Sequence, residues 1–132
     1  MSRHKYFEDI ENKSFEHPSK WGNLINDTRQ KTWYNERRKY GFDSRETWNL
    51  NYVFICIIYE RLKMYNEYTD NKIDKTFHHY EWKNKDYTFQ QLINIVLDKC
   101  IFYLKNSDSD NAYELAKDIF EILGIIFPSL WW

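Results

Sequence analysis

The residues in this chain best suited to chemistry are cations interleaved with aromatic rings. Between Arg29 and Arg45 stand six basic residues (Arg29, Lys31, Arg37, Arg38, Lys39 and Arg45) against Glu36 and Asp43, a local charge of +4. Trp33, Tyr34, Tyr40, Phe42 and Trp48 run through and just past that stretch. Guanidinium groups meet phosphate or carboxylate bidentately and rings stack on flat ligands, a combination that pockets for nucleotides or single strands use. A solvated basic helix end whose rings turn inward looks the same in sequence, and that reading is favoured over direct DNA or RNA binding through the first helix. The segment Leu130-Trp131-Trp132 adds two indoles. In water they would invite aggregation, so they are expected either to fold into the core or to complete an interface or stack on a flat ligand. The candidate binding set is therefore Arg37, Arg38, Tyr40, Arg45, Trp48, Trp131 and Trp132, converging on one concavity.

Other chemistry has little support. His4, His17, His78 and His79 lack metal-ligand spacing, and there is no Cys-x-x-Cys pair or Asp-rich loop with a central Gly, so no metal or cofactor is expected. Gly22, Gly41 and Gly124 stand alone, which excludes a Gly-rich phosphate loop and a Gly-x-Ser-x-Gly elbow. Asp43 and Glu46 fit a helix cap better than an acid–base pair. A binding protein is expected rather than an enzyme. Cys56 and Cys100 sit in apolar runs and read as core thiols.

The elements that must position these groups are helices. With 3 Gly and 2 Pro in 132 residues, long helices are favoured over a turn-rich sandwich. A polar arm over residues 1–20 precedes a single helical domain over 21–132. Leu24, Ile25, Thr28, Thr32 and Trp33 place a first helix from Trp21 to a left-handed cap at Gly41. Asp43-Ser44-Arg45-Glu46 reads as a capping box on one short turn, and Asn49 as the N-cap of a helix over about 50–67, apolar almost all round from Leu50 to Tyr59 and so central. Thr76–Trp82 with a return near Tyr87 is either a small hairpin or an ordered loop. Thr88 and Gln91 form a capping box for a helix over about 89–105 with Phe89, Leu92, Ile93, Val96, Leu97, Cys100 and Leu104 inward. A last helix over about 111–126 turns Ala112, Leu115, Ala116, Ile119, Phe120 and Leu123 inward and stops at Pro128. The expected class is all-α, a compact bundle of about four helices with a loop or hairpin between the second and third.

A net charge of −1 gives no global field toward nucleic acid or membrane. The longest apolar run, Tyr52 to Tyr59, is far short of the roughly 20 residues a bilayer needs, and the N-terminus carries no export signal, so a cytoplasmic protein is expected. Residues 106–121 carry Asp108, Asp110, Glu114, Asp118 and Glu121 against Lys117, a local charge of −4. Opposite patches of this kind allow basic and acidic faces of two copies to meet in a homo-oligomer with the terminal tryptophans at its seam.

The block Arg38-Lys39-Tyr40-Gly41-Phe42-Asp43-Ser44-Arg45-Glu46-Thr47-Trp48-Asn49-Leu50-Asn51-Tyr52, followed by an apolar helix, resembles a signature of small proteins encoded by bacteriophages and prophages. There the pattern runs Gly, aromatic, Ser or Asp, Asp, x, Asp or Glu, x, Trp, x, Leu, Asp, and the chains close on an aromatic followed by Leu-Trp, as Phe127-Pro128-Ser129-Leu130-Trp131-Trp132 does here. Asn51 departs from the usual Asp. The resemblance covers residues 38–66 and the last six. It implies a phage accessory protein in host cytoplasm that binds rather than catalyses, disabling a bacterial defence by occluding a defence protein or sequestering a nucleotide signal.

Overall fold

The computed structural model describes residues 28–132. The expected arm over residues 1–20 and the helical positions Leu24 and Ile25 lie outside the described residues. The rest is largely helical with one small antiparallel sheet. Its order is α1 (Gln30–Tyr40), a 3-10 turn (Ser44–Thr47), α2 (Leu50–Thr69), β1 (His79–Trp82), β2 (Lys85–Thr88), α3 (Phe89–Lys105), α4 (Ala112–Ile126) and a closing 3-10 turn (Phe127–Ser129).

The main core lies between α2, α3 and α4, with α3 packed on both neighbours. The α3 stripe expected from the 3.6-residue period is in place: Phe89, Leu92, Ile93, Val96, Cys100 and Leu104 are buried. Cys56 and Cys100 are free core thiols, and burial pushes both well above the ordinary thiol range. Residues 76–88 take the hairpin alternative. His79 pairs with Thr88 and Trp82 with Lys85, around Lys83 and Asn84 in the left-handed conformation that a tight two-residue hairpin turn demands. Thr88 then caps α3 reciprocally with Gln91, as the capping box predicts.

Three local expectations change. Asn49 precedes α2 without a side-chain cap bond, its carbonyl instead accepting the Val53 N–H. The first half of α2 is less enclosed than its composition suggests, since Leu50 and Phe54 remain exposed. Along α4, Ala112, Leu115, Ala116, Ile119 and Leu123 pack on the core as expected, and Phe120 alone of the expected inner face departs. Ile119, Ile122 and Ile126 are buried with Asp118, while Phe120 points outward. Burying an isoleucine is worth about 2 kcal/mol, so Ile122 and Ile126 together outweigh one phenylalanine in setting which flank of the helix turns inward. Asp118 reinforces the choice by pairing with Lys83 at 2.9 Å and Lys99 at 3.1 Å.

The segment between α2 and β1 is organised by a buried cation. The Lys75 ammonium, 5% exposed, lies 2.8 Å from the Asn66 carbonyl, 2.9 Å from Asn66 Oδ1, 3.0 Å from Thr69 Oγ1 and 2.8 Å from Asp70 Oδ1. Its three protons thus serve four acceptors at the end of α2, where carbonyls lose their helical partners and the helix dipole favours positive charge. The same segment caps the next helix. The Gln90 N–H donates to the Lys75 carbonyl and the Phe89 N–H to the His78 carbonyl, filling orphan donors at the start of α3. Lys75→Met should therefore cost about 2–3 kcal/mol in urea unfolding, the range for hydrogen bonds to a charged group. An unchanged midpoint would mean the ammonium contributes nothing.

Candidate functional site

The seven residues expected to share a concavity lie at two ends of α2. One end is built from α1 and the 3-10 turn. Gly41, at φ 84°, adopts the left-handed cap expected of it and sends its N–H to the Arg37 carbonyl. That reversal brings the turn back onto α1. Ser44 donates from its N–H and hydroxyl to Glu36 Oε1, and Arg37 reaches Asp43 Oδ2 at 2.6 Å.

Asp43 is the hub of this end. It caps the 3-10 turn by accepting the Arg45 N–H at 3.0 Å, and it also takes Nε and Nη2 of Arg45 in a bidentate pair at 3.0 and 2.8 Å. Burial alone would push its carboxyl up, but the hydrogen bonds from Arg45 and Arg37 outweigh that and hold it below its ordinary value of 3.8. Asp43 and Arg45 are both 2% exposed. The Arg45 guanidinium lies over Trp33 at 4.5 Å, and Arg29 sits 4.8 Å from Trp33 and 5.3 Å from Trp48. Trp33 and Trp48 meet edge to face at 5.9 Å. Arg45 is therefore interior, and half of the fork expected to grip a phosphate is committed to Asp43. Trp48, Tyr40 and Phe42 stay exposed, and Arg38 lies 5.8 Å over Tyr34.

The terminal indoles lie at the other end. Tyr65, on α2, shares its hydroxyl proton between the carbonyls of Ser129 and Trp131, both at 3.2 Å. From residue 50 to 65 a helix rises roughly 22 Å, so Trp48 and Trp131 do not face one ligand-sized hollow. The Tyr80 hydroxyl also bonds Ser129 Oγ, and Tyr65 and Tyr80 both stack edgewise on Phe89. These contacts pin the chain after Pro128 against the start of α3.

The pinned segment closes a cleft of about 390 Å³ lined by Ile73, Asp74, Phe77, His78, Phe89, Pro128, Ser129, Trp131 and Trp132. Its floor is the segment that Lys75 anchors. Phe77, Trp131 and Trp132 are 73, 74 and 57% exposed, so the walls are aromatic faces open to solvent. Asp74 Oδ1 accepts the Thr76 N–H and hydroxyl, which hold this carboxylate below its ordinary range and so charged at neutral pH. Lys72 already places its ammonium 5.1 Å from the Trp132 ring. A carboxylate among aromatic faces is an environment for a cation.

Asp74, Phe77 and Lys75 went unnoticed in the sequence. The available signal was Asp74-Lys75-Thr76, an Asx turn beside a cation just past a helix end. Among the described residues no cluster of His, Cys, Asp and Glu is disposed to hold a metal; His79 instead pairs with Asp86 at 2.6 Å across the hairpin. No described helix is long and apolar enough to cross a membrane. No family model, curated protein or solved structure matches this chain.

Three aspartates are held low, and the two that are buried fix an acid limb of stability. Asp43 and Asp118, the latter lowered because hydrogen bonds from Lys83 and Lys99 outweigh its burial, contribute fully above 3.8 and lose that contribution as pH falls through their lower folded-state values. Asp43→Asn should destabilise the protein clearly at pH 7, by about 3 kcal/mol because it removes the carboxylate that neutralises a buried guanidinium. The difference from wild type should narrow as urea unfolding is repeated toward pH 3. A gap that stays constant with pH would contradict the assignment.

Proposed function

We propose that this chain is an accessory binding protein of the bacteriophage type that engages a host defence protein through the cleft between Phe77, Asp74 and the terminal indoles. The compact helical bundle is its scaffold, and the host cytoplasm its place of action. The observation that carries the reading is the cleft itself. Three exposed rings and one charged carboxylate surround an open volume, on a floor fixed by buried polar bonds. Rings of this kind anchor protein interfaces, and each ring face attracts a cation by about 0.5–2 kcal/mol depending on desolvation. The occupant that fits is a segment carrying Arg or Lys beside apolar side chains.

This favours a protein partner over a sequestered nucleotide. A nucleotide needs several fixed cations near its stacking ring, whereas the cleft sets the Asp74 carboxylate beside the ammonium of Lys72, 5.1 Å from the Trp132 ring, and Arg37 and Arg45 are paired with Asp43 at the far end of α2. Direct nucleic-acid binding through α1 loses Arg37 to the same pairing. The host-defence assignment rests on the resemblance of residues 38–66 to phage proteins.

A photo-crosslinking amino acid placed at Phe77 in the full chain, expressed in host cells, should give one discrete protein adduct. Trp132→Ala and Asp74→Asn should each abolish it while leaving far-UV circular dichroism unchanged, because these side chains are exposed. No adduct, or one indifferent to both substitutions, contradicts the reading.

A further inference from the structure

The α4 helix is apolar on more than the side it buries. Its outward face carries Tyr113, Lys117, Phe120 and Gly124, continued by Phe127 in the closing turn, with Ala116 and Leu123 along one edge. Tyr113, Phe120 and Phe127 are 74, 50 and 74% exposed and recur every seven residues. A helix that is apolar around most of its circumference is ordinarily covered on both sides. The three rings alone leave roughly 400 Å² of ring surface in water, about half of what one partner contributes to a standard interface.

Two further features go unused within one copy. Gly124 sits in the helix interior, where glycine is disfavoured, yet a Cβ there would meet nothing within 4 Å. Nothing inside the fold requires so small a residue, whereas close approach of another helix would. Lys117 stands among Glu114, Asp118 and Glu121 without an ion pair among the described residues, because Asp118 turns inward to Lys83 and Lys99.

We infer that the outward face of α4 is a dimerisation surface, and that its occupant is α4 of a second copy packed antiparallel about a two-fold axis at Phe120. Residues equidistant from Phe120 then lie level. Phe120 meets its own counterpart on the axis, Tyr113 meets Phe127 of the second copy, and Gly124 lies level with the second copy's Ala116. On one flank Lys117 comes within about 3 Å, measured along the axis, of Glu121 from the other copy, an offset that a lysine side chain spans. The two-fold makes this ion pair twice. A parallel two-fold pair would instead put the two Lys117–Glu121 flanks on opposite sides of the seam, each facing the Ala116–Leu123 edge of the other copy. No ion pair could then form, which is why the antiparallel arrangement is assigned. The seam expected from the terminal tryptophans thus moves to α4 and leaves the cleft free.

Sedimentation velocity on the full chain at high micromolar concentration tests this. Wild type should sediment as a dimer. Phe120→Asp should be a monomer with an unchanged far-UV spectrum, and Gly124→Leu should also be a monomer with an unchanged far-UV spectrum, because a side chain at Gly124 meets nothing within one copy. Trp131→Ala with Trp132→Ala should leave the dimer intact. A wild-type monomer, a dimer that survives both α4 substitutions, or a dimer dissolved by the tryptophan substitutions overturns the assignment.

Discussion

The buried ammonium of Lys75 is the constraint on which the described end of this molecule depends. A lysine taken out of water must find acceptors, and here they come from α2 itself: the Asn66 carbonyl and side chain, Thr69 Oγ1 and the Asp70 carboxylate. Meeting that requirement fixes where the chain goes after α2. The segment is drawn under the helix end, its carbonyls at Lys75 and His78 are presented to the first N–H groups of α3, and Gln90 closes the circuit by donating to Asn66 Oδ1 at 3.0 Å. One set of polar bonds thereby ends one helix, begins the next and holds Ile73, Asp74 and Phe77 at the cleft floor.

The opposite end of α2 solves a similar problem with an anion. Asp43 is buried and charged because Arg37 and Arg45 neutralise it, and Arg45 in turn rests on Trp33. The basic stretch that looked like a ligand-gripping surface spends two of its cations on internal structure. Charge density in a sequence counts side chains but does not reveal which have partners, and pairing decides whether a guanidinium can meet a phosphate. The long α2 then keeps this aromatic–basic end apart from the C-terminal indoles.

Much of the fold was legible in the sequence where local rules dominate. The α3 boundaries follow from Thr88 and Gln91 at one end and the polar run after Lys105 at the other, and Gly41 signalled the left-handed end of α1. Reading failed where tertiary contacts overrode local pattern. On α4 the expected inner face holds except at Phe120, which is as apolar as Ile119; only the three-dimensional choice of Ile122, Ile126 and Asp118 turns it outward. The cleft was half legible. Trp131 and Trp132 stood out by composition, but Tyr65 and Tyr80, which place them, act across 49 to 66 residues of sequence. No spacing rule reaches that far. Lys75 was invisible for a related reason, since a lysine is ordinarily exposed and its burial depends on acceptors that exist only once α2 has ended.

The central claim is that the cleft beside the terminal indoles, rather than the aromatic–basic end of α1, takes a cationic group. The most direct measurement follows the indole N–H signals of the protein's six tryptophans by two-dimensional NMR during titration with arginine amide. Trp131 and Trp132 should shift together and saturably, Trp33, Trp48 and Trp82 should hold still, and Asp74→Asn should remove the response. Shifts at Trp33 and Trp48 with silence at Trp131 and Trp132 would contradict the account.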